Sequence, residues 1–116
     1  MGGREKGTAE TRRTRTTKQA FQEIKDIKYF FEVTCRHPSY AIRVTEAIRE
    51  MIGKIGANPY LFKECDHLPT KSKIYRQANC LSYLIIYKIT KTEVIILKVT
   101  HSARNPSEIR KLRGNY

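Results

Sequence analysis

The sequence predicts an α+β fold in which a helical hairpin packs against a small antiparallel sheet. Apolar residues recur at helical spacing in the first half of the chain, whereas residues 74–100 are rich in β-branched and aromatic side chains. The chain has 116 residues, which is enough for one hydrophobic core but not for two. This length excludes the large cofactor-binding architectures, and we expect no cofactor.

The first helix is predicted to begin at a capping-box pattern, in which Thr16 is followed three residues later by Gln19. The apolar residues that follow at helical spacing, up to about Val33, are Ala20, Phe21, Ile24, Ile27, Phe30 and Phe31. The sequence His37-Pro38-Ser39 should end this helix and begin the next one, because the residue before a proline disfavours the α conformation.

The second helix is predicted from another apolar stripe, which consists of Ala41, Val44, Ile48, Met51, Ile52 and Ile55. Gly56 and Pro59 are the expected stop signals. The loop between the two helices is short, so the helices should pack as an antiparallel hairpin.

Three strands are predicted after an irregular segment, at residues 74–78, 81–89 and 93–100. The gaps between them are short, and residues 90–92 should form a tight turn, so the strands make an antiparallel meander. The middle strand places apolar residues on both faces, which predicts a central strand. One face carries Leu81, Tyr83, Ile85, Tyr87 and Ile89, and the other carries Leu84 and Ile86. Residues 107–113 should form a short closing helix.

The chain is expected to form a single domain over residues 11–116, preceded by a mobile leader at residues 1–10, which are Gly-rich and polar. Its three cysteines are an odd number, and there is no N-terminal apolar segment, so we predict reduced thiols in a cytoplasmic protein. The longest apolar stretches are far shorter than the roughly 20 residues that a membrane-spanning helix needs. We therefore expect no contact with a membrane.

Positive charge dominates the sequence, with 23 Lys and Arg against 11 Asp and Glu and a formal net charge of +12. An acidic partner is therefore expected. Residues 1–20 carry six basic and two acidic side chains and residues 98–116 carry five and one, whereas the predicted hairpin, residues 21–62, carries six and five. This asymmetry predicts a partner on the sheet side and near the basic C-terminal segment.

Two Cys-x-His pairs, Cys35 with His37 and Cys65 with His67, offer four ligands of the kind that zinc prefers. Structural zinc sites usually use Cys-x(2–4)-Cys or His-x(3–5)-His spacing, which neither pair has. We therefore interpret these residues as loop side chains without a shared purpose, and we predict no metal site.

The segment after the last predicted strand contains His101 and Arg104. A histidine beside an arginine can perform acid/base work on a phosphodiester, with the arginine stabilising charge on phosphorus. The favoured alternative is a structural role for both residues. In that interpretation His101 continues the face of Ile95, Leu97 and Val99 at the edge of the core, and Arg104 pairs with a surface carboxylate.

Tyr83 and Tyr87 share one face of the middle strand, near basic side chains such as Arg76 and Lys88. Rings in such surroundings can stack on the bases of a single-stranded nucleic acid. Aromatic residues on a central strand are more often part of the core, and we favour that interpretation.

Three motifs in a fixed order resemble the RelE/ParE toxin family of bacterial type II toxin-antitoxin modules: Asn58-Pro59-Tyr60 after the hairpin, the Tyr-x-Ile-x-Tyr strand from Tyr83 to Tyr87, and His101-x-x-Arg104. The resemblance extends from about Thr14 to Pro106. It implies the element order β-α-α-β-β-β and a cognate antitoxin whose tail wraps around the toxin. The residues that would bind the antitoxin are not predicted.

The first strand of this family is normally apolar at alternate positions, whereas residues 11–16 here are threonine and arginine only. Either the threonine methyl groups support an edge strand, or no first strand forms.

The family divides by target, and two positions help to assign this chain. The ribonuclease branch, which cuts messenger RNA in the ribosome, places an arginine directly after the first tyrosine of this strand and often a tyrosine near the C-terminus. This sequence has Leu84 and Arg110 there. The ParE branch, which inhibits DNA gyrase and lacks that nuclease set, is the closer match. We therefore expect a gyrase inhibitor that acts by protein binding and contacts its target through Tyr83, Tyr87, His101 and Arg104.

Two alternatives remain open. The first is a ribosome-dependent mRNA endonuclease, or mRNA interferase, of the same fold, for which the candidate catalytic residues are His101, Arg104, Arg76 and Arg110. The second is a basic nucleic-acid-binding module, which predicts salt-sensitive binding to free DNA or RNA without an antitoxin. We expect no enzymatic activity unless the ribonuclease interpretation holds.

Overall fold

The computed structural model describes residues 12–101 and 106–114, so the predicted leader at residues 1–10 lies outside the described residues. The strands are β1 (Arg13–Thr16), β2 (Tyr75–Cys80), β3 (Tyr83–Ile89) and β4 (Glu93–His101). The α-helices are α1 (Lys18–Tyr29), α2 (Pro38–Ala57) and α3 (Pro106–Arg110). Short helical turns follow them, a π-helical turn at Phe30–Thr34 and 3₁₀ turns at Pro59–Leu61 and Lys111–Gly114. The element order confirms the predicted α+β fold.

Helix α1 begins one residue later than the capping pattern predicts. Thr17 is the N-cap, and its side-chain oxygen accepts a hydrogen bond from the Ala20 amide (3.1 Å). The same hydroxyl donates to the carbonyl of Leu97 in β4 (3.3 Å). The prediction of Thr16 was wrong because β1 extends through that residue.

Helix α2 begins at Pro38, as predicted, and the Nδ1 atom of His37 accepts a hydrogen bond from the Tyr40 amide (3.3 Å) at its N-terminus. The helix ends at Ala57, one residue beyond Gly56. It packs against α1, which confirms the predicted hairpin. Within the described ranges, no helix is both long enough and apolar enough to cross a membrane.

The four strands form one sheet in the order β1-β4-β3-β2. β2, β3 and β4 pair antiparallel, which confirms the predicted meander, while β1 runs parallel to β4 and makes the sheet mixed. The polar segment therefore does form a strand, at the edge and with mostly exposed side chains. Backbone hydrogen bonds along one side hold an edge strand, so it does not need the alternating apolar residues that this segment lacks.

Buried side chains cover both faces of the sheet. The hairpin-side cluster consists of Ala20, Val44, Ile48, Ile55, Ala78, Cys80, Ile85, Tyr87, Ile89, Val94, Ile96 and Val99. The C-terminal-side cluster, on the other face, consists of Cys65, Leu68, Tyr75, Leu84, Ile86, Ile95, Leu97, Ile109 and Leu112. β3 contributes to both clusters, as expected of a central strand. The prediction of Leu81 as a strand residue was wrong, because it lies in the β2–β3 turn with a φ of 56° and is 56% exposed.

Candidate functional site

Two of the predicted target-binding residues meet at the end of the sheet where β4 finishes. Tyr83 and His101 are register partners, and their ring centroids are 5.8 Å apart at an interplanar angle of 74°. Burial raises the pKa of the Tyr83 hydroxyl, and the nearby Tyr40 and Cys35 raise it further. The hydroxyl therefore stays protonated at neutral pH, where it can donate a hydrogen bond to a partner but cannot act as a base.

A β-bulge in β4 decides which way His101 faces. The register with β3 shifts at this point and leaves Leu97 as an extra residue. As a result, Ile95 and Leu97 belong to the C-terminal-side cluster, whereas Val99 belongs to the hairpin-side cluster. The predicted face of His101, shared with Ile95, Leu97 and Val99, is therefore correct for Val99 and wrong for Ile95 and Leu97. The side chain is exposed and lies on the same side of the sheet as Tyr83.

Tyr87, the other tyrosine predicted to bind the target, is completely buried in the hairpin-side cluster. Its hydroxyl donates a 2.6 Å hydrogen bond to the Pro59 carbonyl. Burial raises the pKa of this hydroxyl far above its ordinary value, although the Arg76 guanidinium acts in the opposite direction. The side chain attaches the segment after α2 to the sheet and offers no surface to a target. Tyr87 is therefore a core residue, as the favoured interpretation predicts, whereas Tyr83 is only half-buried.

Arg76 lies at the opposite end of β3 from the Tyr83–His101 pair. Its partner in β3 is Tyr87, four residues from Tyr83, which corresponds to roughly 13 Å along the strand. The Arg76 guanidinium donates to three backbone carbonyls, those of Lys73 (2.8 Å), Tyr60 (3.3 Å) and Phe62 (2.8 Å). Arg76 therefore stabilises the chain on either side of residues 63–72.

Arg110, another candidate catalytic residue, is also separated from His101. Arg110 is exposed on α3, which packs on the C-terminal side of the sheet. Leu84, where the ribonuclease branch has arginine, is 7% exposed and belongs to the C-terminal-side cluster. Arg104 lies outside the described residues. Within the described part of the chain, His101, Arg76 and Arg110 are therefore not brought together as one acid/base set.

The two Cys-x-His pairs lie apart in the fold. Cys35 is exposed between α1 and α2, whereas Cys65 is buried in the C-terminal-side cluster. Burial raises the pKa of the Cys65 thiol and likewise that of Cys80, which makes both poor nucleophiles at neutral pH. Among the residues that the structure describes, no three His, Cys, Asp or Glu side chains are grouped as metal ligands would be.

A groove that the sequence analysis missed runs between α1 and α2. It has a volume of about 300 Å³ and is lined by Phe21, Ile24, Lys25, Lys28, Ile42, Thr45, Glu46 and Arg49. Phe21 and Ile42 are 55% and 51% exposed, so the placement of Phe21 in the buried stripe was wrong. The sequence did carry a signal for this groove. That signal is Ile42, which follows the buried Ala41 and lies one position beyond the apolar stripe of α2, whereas Phe21 fits the stripe of α1.

The position predicted for an acidic partner, on the sheet side and near the basic C-terminal segment, stays a prediction. Within residues 12–101 and 106–114, buried clusters lie on both faces of the sheet. The exposed apolar surface between α1 and α2 has three cationic side chains, Lys25, Lys28 and Arg49, and one acidic one, Glu46. A nearly neutral hairpin thus has a locally positive groove.

Comparison with known proteins identifies a family. The family described as "ParE toxin of type II toxin-antitoxin system, parDE" matches residues 14–106. A solved chain from the "Chromosomal ParDE TA system from P. aeruginosa" has a similar fold, with 13% identity, a TM-score of 0.62, and coverage of 79% of this chain and 97% of that chain. No curated protein matches. The resemblance predicted from the sequence is confirmed, and the chain belongs to the ParE family of type II toxin-antitoxin toxins.

Proposed function

We propose that this toxin inhibits DNA gyrase by binding to it, and that its cognate antitoxin neutralises it by occupying the groove between α1 and α2. Membership of the ParE family supports the toxin role and an antitoxin partner. The burial of Leu84 is the observation that carries the choice of gyrase over messenger RNA.

An endonuclease must activate the 2′-hydroxyl, stabilise charge on the phosphorane and protonate the leaving oxygen. The position that holds an arginine in the ribonuclease branch is Leu84, whose side chain is buried against the C-terminal segment. Arg76 donates hydrogen bonds to three backbone carbonyls, and Arg110 lies on the C-terminal side of the sheet, away from His101. Loss of one charge-stabilising group costs about 10²-fold or more in rate. Several such losses together support binding rather than cleavage.

The exposed end of the sheet at Tyr83 and His101, with Arg104 three residues further along the chain, is the surface that we assign to the target. The Tyr83–His101 pair combines a neutral hydroxyl donor with two aromatic rings, a combination found in protein-interface hot spots. His101 and Arg104 then act through binding and not through catalysis. Alanine at either position should weaken gyrase inhibition by about tenfold or more, as expected for a hot-spot residue.

Two assays test the choice of target, supercoiling by purified gyrase and primer extension on messenger RNA in a translating extract. We expect the toxin to inhibit supercoiling and to leave the messenger RNA intact. Cuts within codons, with supercoiling unaffected, would overturn the proposal. Tight, salt-sensitive binding to free DNA or RNA, with neither assay affected, would favour the nucleic-acid-binding module instead.

The groove suits an antitoxin segment that is apolar on one side and acidic at its flanks. Phe21 and Ile42 present apolar surface, and Lys25, Lys28 and Arg49 supply positive charge around it.

Ile42→Asp tests this assignment, because a carboxylate in the groove would lose apolar contact with the antitoxin and would repel its acidic flanks. Leu81→Asp is the matched control, since Leu81 is exposed to a similar extent but lies in the β2–β3 turn. We expect the antitoxin Kd to rise by roughly 10²-fold for Ile42→Asp only. Equal antitoxin affinity for the two variants would place the antitoxin elsewhere.

A further inference from the structure

A second exposed surface, which the proposed function does not use, lies just after α2. Tyr60 and Leu61 are 50% and 67% exposed on the 3₁₀ turn Pro59–Leu61. The guanidinium carbons of Arg12 and Arg76 lie over the Tyr60 ring, 5.5 and 5.0 Å from its centroid. We call Arg12, Tyr60, Leu61 and Arg76 the Tyr60 corner. It lies at the opposite end of β3 from the Tyr83–His101 pair.

The Tyr60 corner is held in place without a partner. Four hydrogen bonds to backbone carbonyls fix it: Tyr87 to Pro59 (2.6 Å), Arg76 to Tyr60 (3.3 Å) and Phe62 (2.8 Å), and Arg12 to Thr90 (2.8 Å). A surface that is already ordered loses little conformational entropy when a partner binds. Its exposed aromatic and apolar area can therefore contribute to affinity more fully than the same area on a mobile loop.

The two guanidinium groups retain capacity for an acidic ligand. In the described part of the chain no carboxylate pairs with Arg12 or Arg76; the ion pairs found there use Arg15, Lys63, Lys98 and Lys111. Towards the residues that the structure describes, Arg12 donates only through Nε, so its two terminal nitrogens make no hydrogen bond there. Guanidinium nitrogens match the spacing of carboxylate oxygens and form strong, charge-assisted hydrogen bonds with them.

We propose that the Tyr60 corner binds an acidic segment of the toxin's protein target, with a carboxylate on the guanidinium groups and an apolar side chain against Leu61. Tyrosine and arginine are among the residues most enriched in protein-interface hot spots. A single-stranded nucleic acid fits less well, because guanidinium groups already lie over the ring on which a base would have to stack. This inference rests on the proposed inhibition by protein binding, and it adds a second contact.

The test uses Arg12→Gln and Tyr60→Leu in the full chain. Leucine keeps apolar bulk but removes the ring, and the Tyr60 carbonyl that accepts from Arg76 is unaffected. Arg43→Gln is the control, because Arg43 is an exposed residue of α2 and the substitution removes the same charge. Growth arrest on expression, inhibition of purified gyrase, antitoxin Kd and thermal unfolding are measured for each variant.

We expect Arg12→Gln and Tyr60→Leu to weaken growth arrest and gyrase inhibition by about tenfold or more, as for hot-spot residues. Arg43→Gln should retain both activities, the antitoxin Kd should be unchanged in all three variants, and all three should still unfold cooperatively above the assay temperature. The two variants could lose growth arrest as expected while the wild-type toxin fails to inhibit gyrase. That result would support the Tyr60 corner as a target-binding surface and would contradict only the choice of gyrase as the target.

Three results would overturn the inference. The first is full growth arrest and gyrase inhibition by both variants. The second is a parallel loss of antitoxin affinity, which would assign the Tyr60 corner to the antitoxin. The third is binding of a single-stranded DNA oligonucleotide that weakens in the same two variants, which would assign it to nucleic acid. A wild-type chain that neither arrests growth nor inhibits gyrase would overturn this inference together with the proposed function.

Discussion

The two faces of the sheet are covered in different ways. The hairpin side carries two helices of 12 and 20 residues. The C-terminal side is covered by irregular chain around Cys65 and Leu68 and by α3, which has five residues. A five-residue helix is too short to be stable without its packing contacts. We therefore expect the hairpin and the sheet to unfold as one cooperative unit, and the C-terminal cover to detach at a lower free-energy cost.

The polar contacts also attach the hairpin to the sheet more firmly than they attach the C-terminal cover. The hairpin is attached to β4 through Glu23 of α1: the Lys98 ammonium lies 2.7 Å from its carboxylate, with side chains 9% and 21% exposed, and the second Glu23 oxygen accepts from the Val99 amide (2.8 Å). On the C-terminal side, the exposed Arg113 donates to the Pro69 carbonyl (2.8 Å). A largely buried ion pair is costly to break, whereas an exposed hydrogen bond exchanges readily with water.

The largest expected effect compares apolar truncations on the two sides. Ile48→Ala, in the hairpin-side cluster, should lower the free energy of unfolding by about 3–5 kcal/mol, because it leaves a cavity in the cooperative unit. Leu112→Ala, in the C-terminal-side cluster, should cost only about 1–2 kcal/mol, because the C-terminal segment can unfold locally. Urea denaturation measures both. Equal losses of unfolding free energy in the two variants would show that the hairpin and the C-terminal cover unfold together.

The next effect concerns the buried ion pair. Glu23→Ala should cost about 2–4 kcal/mol, because it leaves the Lys98 ammonium and the Val99 amide without their acceptor. Glu46→Ala, on the exposed surface of α2, serves as the control and should stay within about 0.5 kcal/mol of the wild type. A similar stability for the two variants, measured by urea denaturation, would mean that α1 is held by apolar contacts alone.

A smaller effect is expected where the segment after α2 is attached to the sheet. Tyr87→Phe removes the donor to the Pro59 carbonyl and should cost about 1–1.5 kcal/mol at neutral pH. Tyr29→Phe is the control, since Tyr29 is 61% exposed and its change should be negligible.

The stabilising effect of the Tyr87 hydroxyl should also depend on pH, in a direction that the structure defines. Burial raises the pKa of Tyr87 in the folded state above the unfolded value of about 10. The stability that depends on the neutral hydroxyl is therefore complete below that unfolded pKa and is lost as the pH rises above it. The wild type should lose stability above about pH 10 more steeply than Tyr87→Phe. Parallel pH profiles in thermal melts would contradict this account of Tyr87.

The smallest effect tests how closely α2 approaches β1. A Cβ added at Gly56 would overlap the Thr14 hydroxyl oxygen, whereas one added at Gly53 would meet nothing within 4 Å. Gly53→Ala should therefore stabilise the protein by about 0.5–1 kcal/mol through helix propensity. Gly56→Ala should instead destabilise it by about 1 kcal/mol, because Thr14 must move. Thermal unfolding of the two variants would contradict the close approach if both were stabilised.

The local sequence pattern predicted the helices and strands well, but it predicted their end residues and their exposed faces less accurately. The capping motif predicted at Thr16 is at Thr17, because pairing with β4 keeps Thr16 in a strand. Phe21 fits the apolar spacing of α1 and yet is exposed, because α2 covers the neighbouring Ala20 instead. Spacing along one helix cannot specify which of two adjacent positions the partner helix covers, since that depends on how the two helices pack.

The sequence by itself determined the element types and their order, the hairpin, the meander and the family resemblance, because periodicity and turn residues are local properties of the chain. Only the tertiary structure decided that β1 pairs parallel to β4, and that Tyr87 is buried while Tyr83 is half-exposed on the same strand face. The structure likewise turned His101 towards the hairpin side, through one extra residue at Leu97. A register shift of one residue exchanges the two faces of a strand, and register is set by long-range pairing that no local pattern contains.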